Sequence, residues 1–81
     1  MTAPTIHLEI DVSGYNCPIP LLRTKKALAG LAPGEVLRVV STDPGSEIDF
    51  RVYADQAGHD LLSVELREAK FVFVIRKRDG E

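Results

Sequence analysis

The spacing of apolar residues changes repeatedly along this chain, and this alternation limits the folds that the chain can adopt. Over residues 6–12 every second residue is apolar, which indicates a strand with one buried face. Over residues 18–32 the apolar residues recur every three or four positions, which indicates an amphipathic helix. The predicted buried side of this helix carries Leu21, Thr24, Ala27, Leu28 and Leu31.

The remainder of the chain repeats this order and then adds a hairpin. Residues 35–42 form a nearly continuous apolar run, typical of a strand inside a sheet. Asp43-Pro44 is a cap-then-proline helix start, so a second helix is predicted over residues 44–57, ended by Gly58. Two further strands, 61–68 and 70–77, are joined so closely at Glu68-Ala69 that an antiparallel hairpin is expected.

The resulting order, β-α-β-α-β-β, predicts an α+β fold. Helical crossovers favour parallel strand pairing with a right-handed connection. We therefore expect a two-layer α/β sandwich, in which a four-stranded mixed sheet carries both helices on one face. The other face would be open to solvent or to a partner.

Length and composition indicate one globular domain over residues 1–81, with residues 1–4 and 79–81 expected to fray. Apolar residues make up 44% of the chain and charged residues 27%, with a net charge of −2, which disfavours wholesale electrostatic capture of nucleic acid. No apolar stretch approaches the roughly 18 residues of a spanning helix, and the first residues lack a signal-peptide pattern. A single cysteine forms no internal disulfide, as expected in a reducing compartment. We therefore expect a cytoplasmic protein.

Cys17 is the residue with the clearest chemical potential, because it lies between a strand end and a helix start. A helix beginning at Pro18 would place Cys17 at the N-cap and Pro20, which has no amide, at the third position. Only the Ile19 N–H would then remain to meet the sulfur at the positive end of the helix dipole. A dipole contribution of about 1 kcal/mol would raise the thiolate fraction at pH 7 from roughly 3% to about 25%. This arrangement predicts a moderately acidic, reactive thiol.

Several of these features also have simpler structural interpretations. A lone cysteine is often a small buried hydrophobe, although its position between a strand and two prolines favours reactivity. Lys25 and Lys26 fit a solvated helix face as well as a docking surface. His7 and His59 have no cysteine or carboxylate at ligand spacing, so no metal site is expected.

Residues 10–21, Ile-Asp-Val-Ser-Gly-Tyr-Asn-Cys-Pro-Ile-Pro-Leu, resemble the TusA family of sulfur-carrier proteins, also called SirA-like. The Pro33-Gly34-Glu35 turn and the strand ending in Thr42-Asp43-Pro44 extend this resemblance over essentially the whole chain. The hallmark is Cys-Pro-x-Pro at a fixed distance after an Ile-Asp strand end and a glycine. The resemblance implies the same β-α-β-α-β-β sandwich.

The resemblance also implies a function and its site. Cys17 would accept sulfane sulfur as a persulfide, with no other cofactor, from a cysteine desulfurase or a rhodanese-type donor. It would then pass the sulfur to a cysteine of an acceptor protein, in tRNA thiolation, molybdenum-cofactor metabolism or sulfur oxidation. A carrier that docks on two partners in turn is expected to act as a monomer, without direct binding to nucleic acid or membrane.

The residues around Cys17 would support this role in different ways. Asp11 would fix the loop by accepting backbone amides, as aspartates do at turns. Gly14, Pro18, Ile19 and Pro20 complete the motif, and Tyr15 with Ile19 would form an apolar rim. The cationic side chains expected to supply docking charge and to stabilise an anionic persulfide are Arg23, Lys25 and Lys26.

Two other functions are compatible with the sequence. One is a non-catalytic regulatory or partner-binding domain that only retains the fold. The other is a small RNA-binding module that uses the open sheet face, with Phe71 and Phe73 either stacking on bases or packing in the core.

Overall fold

The computed structural model describes residues 5–78, and over this range it contains four strands and two helices. Their order is β1 (Leu8–Asp11), α1 (Ile19–Ala29), β2 (Val36–Ser41), α2 (Ser46–Ala57), β3 (Asp60–Arg67) and β4 (Lys70–Arg76). The predicted α+β order is therefore confirmed. Residues 1–4 and 79–81, which were predicted to fray, lie outside the described residues.

The strands form one mixed sheet with the spatial order β1-β2-β4-β3. β1 pairs parallel with β2, and β4 pairs antiparallel with both β2 and β3. β3 therefore runs parallel to β2 but is separated from it by β4, so the second crossover does not join adjacent strands. The tight β3–β4 connection is the predicted hairpin, and its residues Glu68 and Ala69 both have positive φ, as in a type I′ turn.

Both helices pack on one face of the sheet, where the core lies. Leu28 of α1 and Phe50 of α2 are buried in the same cluster as Leu37, Val39 and Phe73 of the central strands. The Phe50 and Phe73 rings lie 4.3 Å apart between centroids, and Phe73 is 0% exposed. Phe73 is therefore a core residue and offers no surface for stacking on bases.

The opposite sheet face carries Val72 and Val74 beside charged side chains, including Arg38 and Arg67. None of the five aromatic residues of the chain belongs to this face, because Phe71 and Phe73 point to the helices and the other three lie outside the strands. RNA-binding sheets depend on such rings for base stacking. This face therefore does not favour the RNA-binding alternative.

Both helices begin later than predicted: α2 begins at Ser46, with Gly45 as its N-cap, so Asp43-Pro44 is not the start of the helix. Only α2 ends where the sequence predicts. α1 begins at Ile19 rather than Pro18 and ends at Ala29 rather than near Ala32. α2 ends as predicted, because Gly58 adopts φ +81° and its N–H donates to the carbonyl oxygen of Ala54. The predicted inward face of α1 is confirmed, with Thr24 and Leu28 buried and Leu22 54% exposed.

Candidate functional site

Cys17 is an exposed free thiol in the loop that joins β1 to α1. Parallel β1 and β2 end at the same edge of the sheet, so this loop lies beside the β2–α2 loop. Crevices at the carboxyl ends of parallel strands are the usual place for chemistry in βα folds. Cys17 therefore lies at the edge of the sheet where such chemistry is expected.

Hydrogen bonds from side chains hold the β1–α1 loop in place. Asp11 Oδ1 accepts the N–H of Ser13 at 2.9 Å, which is the turn-fixing contact expected of this aspartate. The N–H of Gly14 donates to Thr42 Oγ1 at 2.8 Å, across the two neighbouring loops. Gly14 has φ +85°, a conformation that side chains disfavour, which explains a glycine at this position.

Two carboxylates of the neighbouring elements contact Cys17. Its backbone N–H donates to Asp43 Oδ2 at 2.8 Å, while Asp43 Oδ1 accepts the N–H of Gly45 at 3.1 Å. Its Sγ donates to Asp49 Oδ2, in the first turn of α2, at 3.2 Å. The immediate electrostatic partners of the thiol are therefore anionic.

The predicted helix-start geometry at Cys17 is wrong. Pro18 is the N-cap of α1, so Cys17 lies one residue before the cap, and the Cys17–Pro18 peptide bond is cis. The N–H of Ile19, which was expected to face the sulfur, donates instead to the carbonyl oxygen of Asn16 at 3.0 Å. Pro20 is fully buried, so the second proline of the motif packs in the interior.

The predicted acidic thiol is also not found, because the pKa of Cys17 is raised above its ordinary value. The main cause is the hydrogen bond to the Asp49 carboxylate, followed by partial desolvation and by the negative charges of Asp49 and Asp43. Each of these effects favours the protonated thiol over the thiolate. In the isolated protein, the surroundings of Cys17 thus favour the protonated thiol over the reactive thiolate.

The cations of α1 do not stabilise the sulfur directly. The Arg23 guanidinium lies 4.5 Å from the centroid of the Tyr15 ring, and the Lys25 ammonium lies 5.2 Å from that of Tyr53. Lys26, together with Arg23, lines a shallow cavity of about 240 Å³ beside β1. Arg23 and Lys26 therefore form a cationic surface of α1 beside β1, whereas Lys25 faces α2.

The apolar residues of the loop are accessible, as a rim around the sulfur requires. Tyr15 and Ile19 are each 39% exposed, on either side of Cys17 in the chain. The aromatic ring of Tyr15 is held by its contact with Arg23. Apolar and aromatic surface is thus exposed on the segment of chain that carries the thiol.

Asp49 is the site residue that sequence reasoning missed. A signal for it exists, because Glu47 and Asp49 place negative charge in the first turn of α2. Since α1 and α2 both begin at the carboxyl edge of the parallel pair, a carboxylate in that turn lies near the β1–α1 loop. Using this signal requires knowing that β1 and β2 are adjacent and parallel.

Neither histidine belongs to this site. His7 Nδ1 accepts the N–H of Val36, and His59 Nδ1 accepts the N–H of Arg78, each at 3.0 Å. Over residues 5–78, no group of three or more His, Cys, Asp or Glu side chains could hold a metal ion. Within the same range, neither helix has the length and apolar character needed to cross a membrane.

The fold and the site together define a class of protein: a small α+β sandwich with one exposed cysteine, followed by Pro-Ile-Pro, at the carboxyl edge of its parallel strand pair. The family model described as Sulfurtransferase TusA matches residues 8–77. The chain belongs to this family, which confirms the resemblance seen in the sequence.

Named relatives agree with this assignment. The chain is 48% identical over 69 residues to the sulfur carrier protein TusA of Allochromatium vinosum, covering 85% of this chain and 91% of the relative. It is 33% identical over 78 residues to the sulfur carrier protein TusA of Pseudomonas putida, covering 96% and 98% of the two chains. A crystal structure of a SirA-like protein from Desulfitobacterium hafniense superposes with a TM-score of 0.79 at 28% identity, covering 89% of this chain and 99% of that one.

Proposed function

We propose that this protein is a sulfur carrier that holds sulfane sulfur on Cys17 as a persulfide and relays it between two proteins. The observation that carries the proposal is the exposure of Cys17 in the loop that joins β1 to α1. A relay atom has to be reached by two different protein surfaces in turn, and an exposed loop permits this. The sulfur-carrier names of the relatives support the same role.

The proposed reaction is an exchange between sulfur atoms. The Cys17 thiolate attacks the outer sulfur of a donor persulfide, a new S–S bond forms, and the donor cysteine leaves as a thiolate. The outer sulfur, now on Cys17, is later attacked by a thiolate of the acceptor protein, and Cys17 leaves with the bonding electron pair. One cysteine suffices, and no further cofactor is needed.

The proposed partners are a cysteine desulfurase or rhodanese-type donor and an acceptor protein. The acceptor would act in tRNA thiolation, molybdenum-cofactor metabolism or sulfur oxidation, and the exchange would take place in the cytoplasm, where thiols stay reduced. The exposed side chains of Arg23, Lys25 and Lys26 would contribute docking charge on α1, the helix that follows the Cys17 loop. The carrier would act as a sulfurtransferase only together with these partners.

The decisive test is transfer of sulfur to the intact chain. After incubation with a cysteine desulfurase and cysteine, intact mass spectrometry should show the added mass of one sulfur atom, and Cys17→Ser should show none. A parallel reaction without cysteine controls for oxidation. No adduct on the wild-type chain, or an adduct that persists in Cys17→Ser, contradicts the proposal. If sulfur transfer is absent and partner binding is indifferent to Cys17→Ser, the chain is a partner-binding domain.

A further inference from the structure

The position of Asp49 is fixed by the packing of α2. Phe50, the next residue, is 0% exposed and contacts Phe73 in the core, which sets the rotation of the helix. The start of the helix is tied to the end of β2 by a buried hydrogen bond of 2.8 Å between the hydroxyl groups of Ser41 and Ser46. The 3.2 Å contact from Cys17 Sγ to Asp49 Oδ2 therefore rests on two buried anchors.

The charges that face Cys17 come from two elements and share one sign. α2 contributes Asp49, and the β2–α2 loop contributes Asp43, which also binds the Cys17 N–H. The cations Arg23 and Lys25 of α1 lie against tyrosine rings. Over residues 5–78, no salt bridge joins Asp43 or Asp49 to a cationic side chain. Negative charge at Sγ is therefore not neutralised within this part of the chain.

This arrangement matters most when sulfur leaves the carrier. As the S–S bond of the persulfide breaks, the electron pair stays on Sγ, which becomes a thiolate beside the Asp49 carboxylate. Leaving groups that are poorer acids depart more slowly in thiol exchange. The carboxylate that keeps the resting thiol protonated thus disfavours the thiolate that forms as sulfur leaves.

We propose that Asp49 determines the specificity of discharge: its carboxylate slows loss of sulfane sulfur from Cys17 to small thiols, and an acceptor that places a cation against Asp49 removes this inhibition. The inference rests on the proposed carrier function. The step is Cys17–S–SH plus an acceptor thiolate R–S⁻, which gives R–S–SH and the Cys17 thiolate. One S–S bond forms and one breaks, the acceptor sulfur is oxidised as the Cys17 sulfur is reduced, and Cys17 then takes a proton from water.

The variant Asp49→Asn tests this inference, because it keeps the size of the side chain and removes its charge. Asp55→Asn is the matched control, since Asp55 is an exposed aspartate of the same helix. The first measurement is the rate of Cys17 alkylation by iodoacetamide between pH 6 and pH 10. The profile of Asp49→Asn should move to lower pH, whereas Asp55→Asn should match wild type. A merely structural disturbance would change the rate without moving the profile.

The second measurement is loss of sulfur to glutathione from the persulfide form loaded by a desulfurase. Asp49→Asn should lose its sulfur about threefold to tenfold faster than wild type and Asp55→Asn. Equal loss in all three proteins overturns the inference, even if the alkylation profile moves. Asp49→Ser provides the same comparison if Asp49→Asn does not fold.

The third measurement tests the role of acceptor charge with two small thiols, cationic cysteamine and anionic 2-mercaptoethanesulfonate. The ratio of their discharge rates should favour cysteamine more strongly in wild type than in Asp49→Asn. Comparing this ratio between the two proteins cancels the intrinsic reactivity of each thiol. The same ratio in wild type and in Asp49→Asn contradicts the proposed role of a cation on the acceptor. If the wild-type chain accepts no sulfur at all, the proposed carrier function is wrong. If the chain accepts sulfur but wild type and Asp49→Asn lose it at equal rates, only the role of Asp49 is wrong.

Discussion

The two ends of the sheet differ in the charge that their loops and helix ends carry. At the end where β1 and β2 finish, Asp43 and Asp49 surround Cys17. At the opposite end, a cavity of about 320 Å³ between the helices is lined by Lys25, Lys77, Arg78 and His59 together with apolar side chains and Tyr53. The chain as a whole has a net charge of only −2, so this separation of charge is invisible in the composition.

At the acidic end, side-chain hydrogen bonds connect the Cys17 loop to the neighbouring β2–α2 loop, whereas the basic end combines backbone hydrogen bonds with side-chain ones, such as that from the Arg78 N–H to His59 Nδ1. Side-chain oxygens of Thr42 and Asp43 accept backbone N–H groups from the Cys17 loop. At the other end, Gly34 and Lys77 share a backbone hydrogen bond of 2.9 Å, and Lys77 bonds in the same way to Glu35. Carboxylates at the Cys17 end therefore set both the loop geometry and the local charge, so neither property can be altered there without affecting the other.

The largest effect in this comparison is expected from Asp43→Ala. This change removes the acceptors of the Cys17 and Gly45 amides, and hydrogen bonds to a charged group are worth more than neutral ones. We expect a loss of about 2 kcal/mol in the free energy of unfolding, measured by urea denaturation. The counterpart at the basic end is Asp60→Ala, which breaks only an exposed ion pair with Arg76 and should cost about 0–1 kcal/mol. Equal losses of unfolding free energy in Asp43→Ala and Asp60→Ala would show that the carboxylate at the Cys17 end contributes no more to stability than the exposed ion pair at the basic end.

A smaller effect is expected from Thr42→Val, which keeps the shape of the side chain but deletes the acceptor of the Gly14 N–H. Because the site is exposed and water can replace the lost partner, we expect a cost of about 0.5–1 kcal/mol by urea denaturation. Thr42→Ser retains the hydroxyl group and should behave like wild type. If Thr42→Ser is as unstable as Thr42→Val, the hydrogen bond is not the source of the effect.

The smallest effects on stability are expected from changes in pH. His59 at the basic end should lower stability as the pH falls, and Cys17 at the acidic end should lower it as the pH rises. The pKa of His59 is lowered, first by burial and then by the nearby charges of Arg78 and Lys77. The unfolded chain therefore binds more protons as the pH falls below about 6.5, and stability is lost in that range. Urea denaturation midpoints measured from pH 7.5 down to pH 5 should fall less in His59→Gln than in wild type.

At the acidic end, the raised pKa of Cys17 acts in the alkaline range. The folded state keeps the thiol proton after the unfolded chain has lost it, so stability should fall as the pH rises above about 9. Cys17→Ser should lack this component of the alkaline decline. If the unfolding free energy falls with pH equally steeply in wild type and in Cys17→Ser, the thiol does not contribute to the alkaline loss of stability.

The order of the elements and the buried face of α1 could be predicted because they depend on local periodicity. Leu28 and Thr24 follow the helical repeat, and the Glu68-Ala69 turn follows from two adjacent strand patterns. The position of β4 between β2 and β3 could not be predicted, since local patterns do not specify which strands pair. The two-layer architecture was therefore predictable from the sequence, whereas the spatial order of the strands was not.

The cysteine motif was predictable, but its electrostatic surroundings were not. The sequence around Cys17 suggested activation by a helix start, yet Asn16 takes the Ile19 N–H and the helix begins two residues after the cysteine. The dominant partner, Asp49, is 32 positions away in the chain and reaches the sulfur only through the parallel pairing of β1 with β2. Long-range contacts of this kind leave little local signal.

The single sulfur at one edge of the sheet has a consequence for the order of events in the proposed relay. Donor and acceptor proteins would have to occupy the same surface over Cys17, so they would compete for it and could not form a ternary complex around the carrier. Turnover would follow a ping-pong scheme, in which the donor departs before the acceptor arrives. The flux of sulfur would then depend on how the loaded and unloaded carrier divides its time between the two partners.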